Sequence, residues 1–522
     1  MNKKLGKTLI LLLFVIISVS LLIGAVSATD IYVNGTGSDD TGAGTIDNPY
    51  KTISFGIAHA STTSTDTVIL APETFNTNTD PTHTDYGITI SKNVNIKGVG
   101  QDQTIIDAGG HDRIFTINSG CTVTISDLTL KNGNTAGNGG AINNQGTLNL
   151  NNCAFIGNTA TNGGAINNQY SVIAFIGSSA SATNTMTGCT FTGNTATANG
   201  GAINNQNSIG AFVGSSASAT NTMTGCTFTG NTATTNGGAI NNQNSIITYV
   251  GSIASATNTM TGCTFTGNTA TTNGGAINND GSNCEIHFSR IVGNTATTGS
   301  SIYSPIGLVN AEYNWWGSNT DPKTVINLIF GNVDADPWLK LSITANPTEI
   351  FNTMTSQVTA DLYADSNGII HNSEFAKYPS GIPVTFATTW GSIGQSKLKY
   401  GTATATFTAN GGPISSPIIT TASVADIANP LATVTAPITI KPLPITVNAA
   451  KTGRNTGTTG NTDPTTTPAP TTNNTTPNSY GTTPEGTQGN GLSGLLSYWW
   501  VILIILLLIG GGLLWFLLAA RK

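Results

Sequence analysis

Between about residue 120 and residue 300 the chain alternates apolar and polar side chains in short runs broken by Gly and Asn. The clearest case follows Ile142. In Thr147-Leu148-Asn149-Leu150-Asn151 the leucines fall on one side of an extended strand and the asparagines on the other, and in the next run Cys153 and Phe155 are set against Ala154 and Ile156. A period of two predicts strands, and the Gly and Asn between the runs predict turns. Three such strands cannot bury their apolar side alone. Stacked on copies of themselves, about 4.8 Å apart, they close their backbone hydrogen bonds between coils and share one continuous core.

The copies are present. Gly-Gly-Ala-Ile-Asn-Asn occurs with its Ile at 142, 166, 203, 240 and 277, in steps of 24, 37, 37 and 37 residues, and Gly-Asn-Thr-Ala interleaves with its Asn at 158, 194, 231, 268 and 294. Counting back from that Asn, one slot holds Phe155, Phe191, Phe228, Phe265 and Ile291, with Leu130 one unit earlier. The pattern predicts an all-β chain whose main part is a right-handed parallel β-helix over residues 29–340, opened by a cap with a short helix at 53–60 and closed near Trp338.

Cys153, Cys189, Cys226 and Cys263 share a second slot, which Leu128 fills elsewhere. Two readings stand: a ladder of buried free thiols, or disulfide staples of the kind an exported chain permits. No Cys-x-x-Cys pair occurs and the five His are scattered, so no metal site is expected. The repeated Asn lie in Asn-Thr-Ala and Asn-Asn-Gln, which are not glycosylation sequons; they are expected to hydrogen-bond to one another and to occupy left-handed turn positions. Sequons stand at Asn34, Asn473 and Asn474.

The 37-residue units differ from the 24-residue unit at one point. From Ile142 to Cys153 is 11 residues, whereas Ile166 to Cys189, Ile203 to Cys226 and Ile240 to Cys263 are 23 each. Insertions at one position of a solenoid land on one face, often the binding face. Each carries an aromatic, and Phe175, Phe212 and Tyr249 form a candidate column for a glycan ring or an apolar groove on a partner. The alternative is that the inserted runs pair as lengthened strands over a side core.

Outside the coils, residues 1–28 read as a signal peptide, with Lys3, Lys4 and Lys7 before an apolar run and Ala-Val-Ser-Ala at the cut. Residues 341–450 carry alternating runs such as Val384-Thr385-Phe386 and Ile438-Thr439-Ile440, which predict a small β-sandwich or, failing closure, extra strands. Residues 451–494 are rich in Thr, Pro, Gly and Asn and read as a disordered stalk, forty residues of which extend to roughly 120 Å. The apolar run 495–520 is long enough for a core of about 30 Å, with Arg521 and Lys522 as a cytoplasmic tail. The expectation is a single-pass protein in the cytoplasmic membrane, its ectodomain at the cell surface.

Charge narrows the chemistry. Charged residues are 8% of the chain against roughly 25% in an ordinary domain, and a net charge of −6 leaves no footprint for nucleic acid. From 132 to 279 there is no Asp, Glu, Lys, Arg or His, so acid–base catalysis has no groups to use in the middle of the stack. Asp107, His111, Asp112 and Arg113 on one side, and Asp280, Glu285, His287 and Arg290 on the other, are too far apart to cooperate, and Asp334-x-Asp336 is a weak calcium motif. No catalytic residue and no cofactor is assigned.

Four stretches in order, Ile31-Tyr32-Val33-Asn34-Gly35 with Pro49-Tyr50-Lys51-Thr52-Ile53, Gly98-Val99-Gly100 to Thr104-Ile105-Ile106-Asp107, the Gly-Gly-Ala-Ile-Asn-Asn coils, and Tyr313-Asn314-Trp315-Trp316-Gly317, resemble the adhesin-like surface proteins of methanogenic archaea. These belong to the pectate-lyase-like, polymorphic-membrane-protein-like β-helix class. Residues 341–450 resemble the Ig-like modules of invasin-type proteins. The resemblance implies a surface location and attachment to a glycan or protein on another cell or host. A polysaccharide lyase or glycosidase on the same fold, and a structural envelope protein, are the other functions this class admits.

Overall fold

A computed structural model describes residues 27–80, 83–174, 179–213, 216–250, 253–371, 378, 380–412, 414, 416–424 and 432–442. Residues 1–26 of the expected leader, the stalk with Asn473 and Asn474, and the apolar run 495–520 lie outside them. Among the described residues no helix is long and apolar enough to cross a membrane.

About the first three-quarters of the described chain is a stack of parallel strands in three sheets of 18, 8 and 4 strands. Register is set by like residues. Ile142 pairs with Ile166, then Ile203, Ile240, Ile277 and Ile302. On the 8-stranded sheet Leu130 pairs with Phe155, followed by Phe191, Phe228, Phe265 and Ile291. A slip of one residue would turn every such side chain outward, so the apolar slots lock the coils.

The Gly-Gly step has a steric cause at both positions. At Gly200 the backbone is left-handed (φ +68°), and a Cβ on Gly201 would lie 2.1 Å from the carbonyl oxygen of Gly238 in the next coil. The second Gly therefore lets two coils approach at the corner, and any larger residue would pry them apart.

The amino-terminal end is capped by the helix Ile53–His59, which buries Ile53, Gly56 and Ile57. Two carboxylates tie it down. Asp85 accepts from Ile53 N at 3.0 Å and Thr77 N at 2.7 Å, and Asp66 accepts from Thr29 N, Ser61 N and Ser64 Oγ at 2.8–3.0 Å.

The last strand of the stack is Ile329–Asp334, after which a four-stranded and a five-stranded sheet enclose a second core. Their pairing is antiparallel except where Glu349–Phe351 runs parallel to Ala432–Lys441. Val358, Leu362, Phe386, Phe407, Ile418 and Ile438 fill the space between. The adjacent tryptophans divide the labour at the junction: Trp316 joins the core of the stack, and Trp315 joins the second core together with Phe288 and Val292.

Candidate binding surface

The internal ladders set the geometry of everything outside them. Phe155, Phe191, Phe228 and Phe265 are fully buried and stack face to face, with ring centroids 4.8, 4.7 and 4.7 Å apart and ring planes inclined by only 5°, 3° and 0°. Successive coils are therefore stacked at one strand spacing with almost no tilt of one against the next. Cys153, Cys189, Cys226 and Cys263 form a second buried column of free thiols, and Cys121 and Cys284 are also free and buried. Burial pushes the Cys284 thiol up to about 12. Those of Cys153 and Cys226 are raised by the neighbouring thiols of the column, Cys189 for the first and Cys189 with Cys263 for the second, and then by burial.

Asn residues form the polar counterpart. In the Gly-Asn-Thr-Ala column, Asn231 Nδ2 donates to Asn268 Oδ1 at 2.9 Å and to Phe191 O at 3.0 Å, while Asn231 Oδ1 accepts from Asn194 N and Nδ2. Asn184 donates to Asn221 and Asn221 to Asn258, each at 2.9 Å. That column stops where Cys284 takes the next position, and Asn258 Nδ2 is left without an acceptor among the described residues. Asn34 lies apart, its Oδ1 accepting from the backbone N and hydroxyl of Thr36.

The twelve-residue insertions are lengthened strands. Ile166–Ala174, Ile203–Val213 and Ile240–Val250 lead out from the stack, and Ser179–Thr187, Ser216–Thr224 and Ile253–Thr261 lead back. Between the two layers lie Ala182, Ala219 and Ala256 with buried Asn168, Asn205 and Asn242, whose amides reach the carbonyls of those alanines at 3.1–3.4 Å. Of the candidate aromatic column, Phe212 and Tyr249 fall within outgoing strands, and Phe175 lies outside the described residues.

The ionisable clusters at the two ends are held in structural contacts. Asp107 pairs with Lys131 at 3.2 Å and accepts from Asn132, while Arg113 donates to the carbonyls of Asn138 and Gly139. His287 meets Glu312 O at 3.1 Å, and Arg290 donates to Thr266. Asp107 and Arg290 stand on strands six steps apart in one sheet, about 29 Å at the usual strand spacing. Asp334 contacts Lys323 at 3.5 Å, Asp336 accepts from Ser366, and no metal-competent cluster occurs among the described residues. Among the described residues an open cleft of about 540 Å³ is lined by Tyr363, Lys397, Lys399 and Tyr400.

Comparison with known proteins places the repeat. The Chlamydia polymorphic membrane protein repeat matches residues 188–206, 225–243 and 262–280, three stretches of 19 residues that each run from the Gly before a ladder Cys through Gly-Asn-Thr-Ala to Gly-Gly-Ala-Ile-Asn-Asn. No curated protein and no solved structure matches the chain.

Proposed function

We propose that the chain is a cell-surface protein of the adhesin-like kind, in which a right-handed β-helix and an Ig-like module are displayed for attachment to a glycan or protein partner. The observation that carries this reading is the three-fold match to a polymorphic membrane protein repeat, falling on coils that up to Asp280 carry no Asp, Glu, Lys, Arg or His. Such coils offer binding area without acid–base chemistry. In this reading the leader exports the chain, 495–520 anchors it, 451–494 holds the ectodomain away from the membrane, and Asn34 carries a glycan where the host cell glycosylates. Kinship with archaeal adhesin-like proteins belongs to the same proposal.

The test expresses the full chain in a non-adherent host and measures cell attachment to glycan- and protein-coated surfaces. Expressing cells are expected to bind at least one surface above the empty host, and protease treatment of intact cells should release the ectodomain. Attachment equal to the empty host, or complete protection from protease, would overturn the reading.

A further inference from the structure

The return strands carry a surface that the ladders make regular in two directions. From Ser216–Thr224 the outward side chains are Ser218, Thr220, Thr222 and Thr224, while Ala219, Asn221 and Met223 between them are buried. The strands on either side, Ser179–Thr187 and Ile253–Thr261, pair with it residue for residue and present Ser, Thr, Thr and Thr at the same four positions. One repeat of this grid is the coil spacing, 4.7–4.8 Å in the Phe ladder beneath. The other is two residues of strand rise, about 6.7 Å. Here the three return strands pair residue for residue with no register shift over their full length, so the Ser and Thr columns run unbroken from one coil to the next.

The columns extend beyond the three long coils. Thr220 stands in line with Thr183, Thr147 and Thr122 across successive strands. The field stays uncharged until Lys97 at one margin and Glu285 with His287 at the other. Thr is a good strand former, and that alone accounts for Thr at outward positions. It does not account for the loss of charge, since outward positions of neighbouring strands in this chain take Lys97, Asp107, Glu285 and Arg290. Among the described residues the hydroxyls of Thr185, Thr222 and Thr259 make no hydrogen bond to the protein. They stand in a row, each with its methyl group beside it.

We infer that this face binds crystalline water: it is an ice-binding surface, with the Thr grid ordering water in register with the lattice. An electroneutral face fits an electroneutral crystal, and the prism face of ordinary hexagonal ice presents oxygens at spacings close to both repeats of the grid. A crystalline polysaccharide is the less suited occupant, because this face lacks the aromatic rings on which sugars stack. The inference does not require that the chain be displayed on a cell.

The test uses residues 29–445, which fall in one compact unit that contains both cores. Two readouts are taken: uptake of labelled protein into slowly grown ice, and inhibition of ice recrystallisation. The wild type is expected to enter the ice. Thr222→Tyr, at the centre of the grid, is expected to lower uptake at least tenfold with an unchanged circular dichroism spectrum and melting temperature, and Thr185→Tyr in the neighbouring strand to do the same, so that misfolding of one variant leaves the other decisive. Thr229→Tyr, on the 8-stranded sheet, is expected to retain uptake. Exclusion of the folded wild type from ice, full uptake by both grid variants, or retention on crystalline cellulose or chitin with exclusion from ice would each overturn the inference.

Discussion

The central coils and the amino-terminal cap solve the same problem with opposite means. Both must close an apolar core and satisfy the polar groups beside it. In the coils the ladder residues meet their own kind one strand away: Phe on Phe, Cys on Cys, Asn on Asn. In the cap nothing repeats, and individual carboxylates are used instead, Asp66 and Asp85 each gathering donors from separate segments. Repetition removes the need for charge because an amide is both donor and acceptor and can satisfy itself indefinitely along a stack. An end has no next copy, so its polar groups need unlike partners.

The largest effect that would break this comparison is expected at Phe228. Phe228→Asp places a carboxylate between two buried rings and should cost several kcal/mol, read as a lower denaturation midpoint. A change at the outward neighbour, Thr229→Asp, should stay within about 0.5 kcal/mol. Equal effects at the two positions would mean that the register is wrong.

Asn231→Ala tests the amide column with a smaller effect. It leaves Phe191 O without its side-chain donor and removes the partner of Asn194 and Asn268 inside the stack. Each buried group left unpaired costs about 1–3 kcal/mol, so destabilisation of about 3 kcal/mol is expected from chemical denaturation. The outward Asn149→Ala should change almost nothing.

The smallest effect separates the regions by pH. Burial opposes ionisation of Asp365, but the hydrogen bond from His371 at 2.9 Å and the amides of Asn367 and Ile369 outweigh it, and its carboxyl lies below the ordinary value of 3.8. Asp107 is lowered in the same way, against burial, by Asn132, Gly109 and Lys131. A lowered carboxyl contributes stability that is present above 3.8 and lost as pH falls through the folded-state value. On acidification below about pH 4, hydrogen-exchange protection relative to the intrinsic rate at each pH should therefore fall first in strand Thr355–Asp365 and around Asp107. Strands such as Thr227–Thr229, with no carboxylate nearby, should keep their protection. Uniform loss along the chain would remove the distinction.

How much of this was legible in the sequence follows from the same contrast. Leu148, Leu150 and the Phe slot announced themselves because an apolar residue at every second position has one physical reading. The interior of the lengthened strands did not. In Ser-Ala-Ser-Ala-Thr-Asn-Thr-Met-Thr the buried residues are Ala, Asn and Met, and neither Ala nor Asn carries an apolar signal strong enough to separate inside from outside. Phe175, Phe212 and Tyr249 are the conspicuous residues of the insertion, whereas the plain Thr rows opposite carry no such signal. The role of Asn184, Asn221 and Asn258 depends on what the next coil presents, which no single segment reveals. Nor could a local pattern show that Trp315 and Trp316 serve different cores.

The Gly201 contact carries a last consequence, for how such a chain changes length over generations. Because each 37-residue coil meets the next through the same Gly corner, ring and amide, a whole coil can be copied or lost by unequal exchange within its gene without creating a contact that the molecule does not already contain. Each added copy would lengthen the stack by one strand spacing and the Thr grid by one row. Exchange out of phase by even one codon would instead turn Phe outward and bury Thr, so selection would retain the whole-coil events.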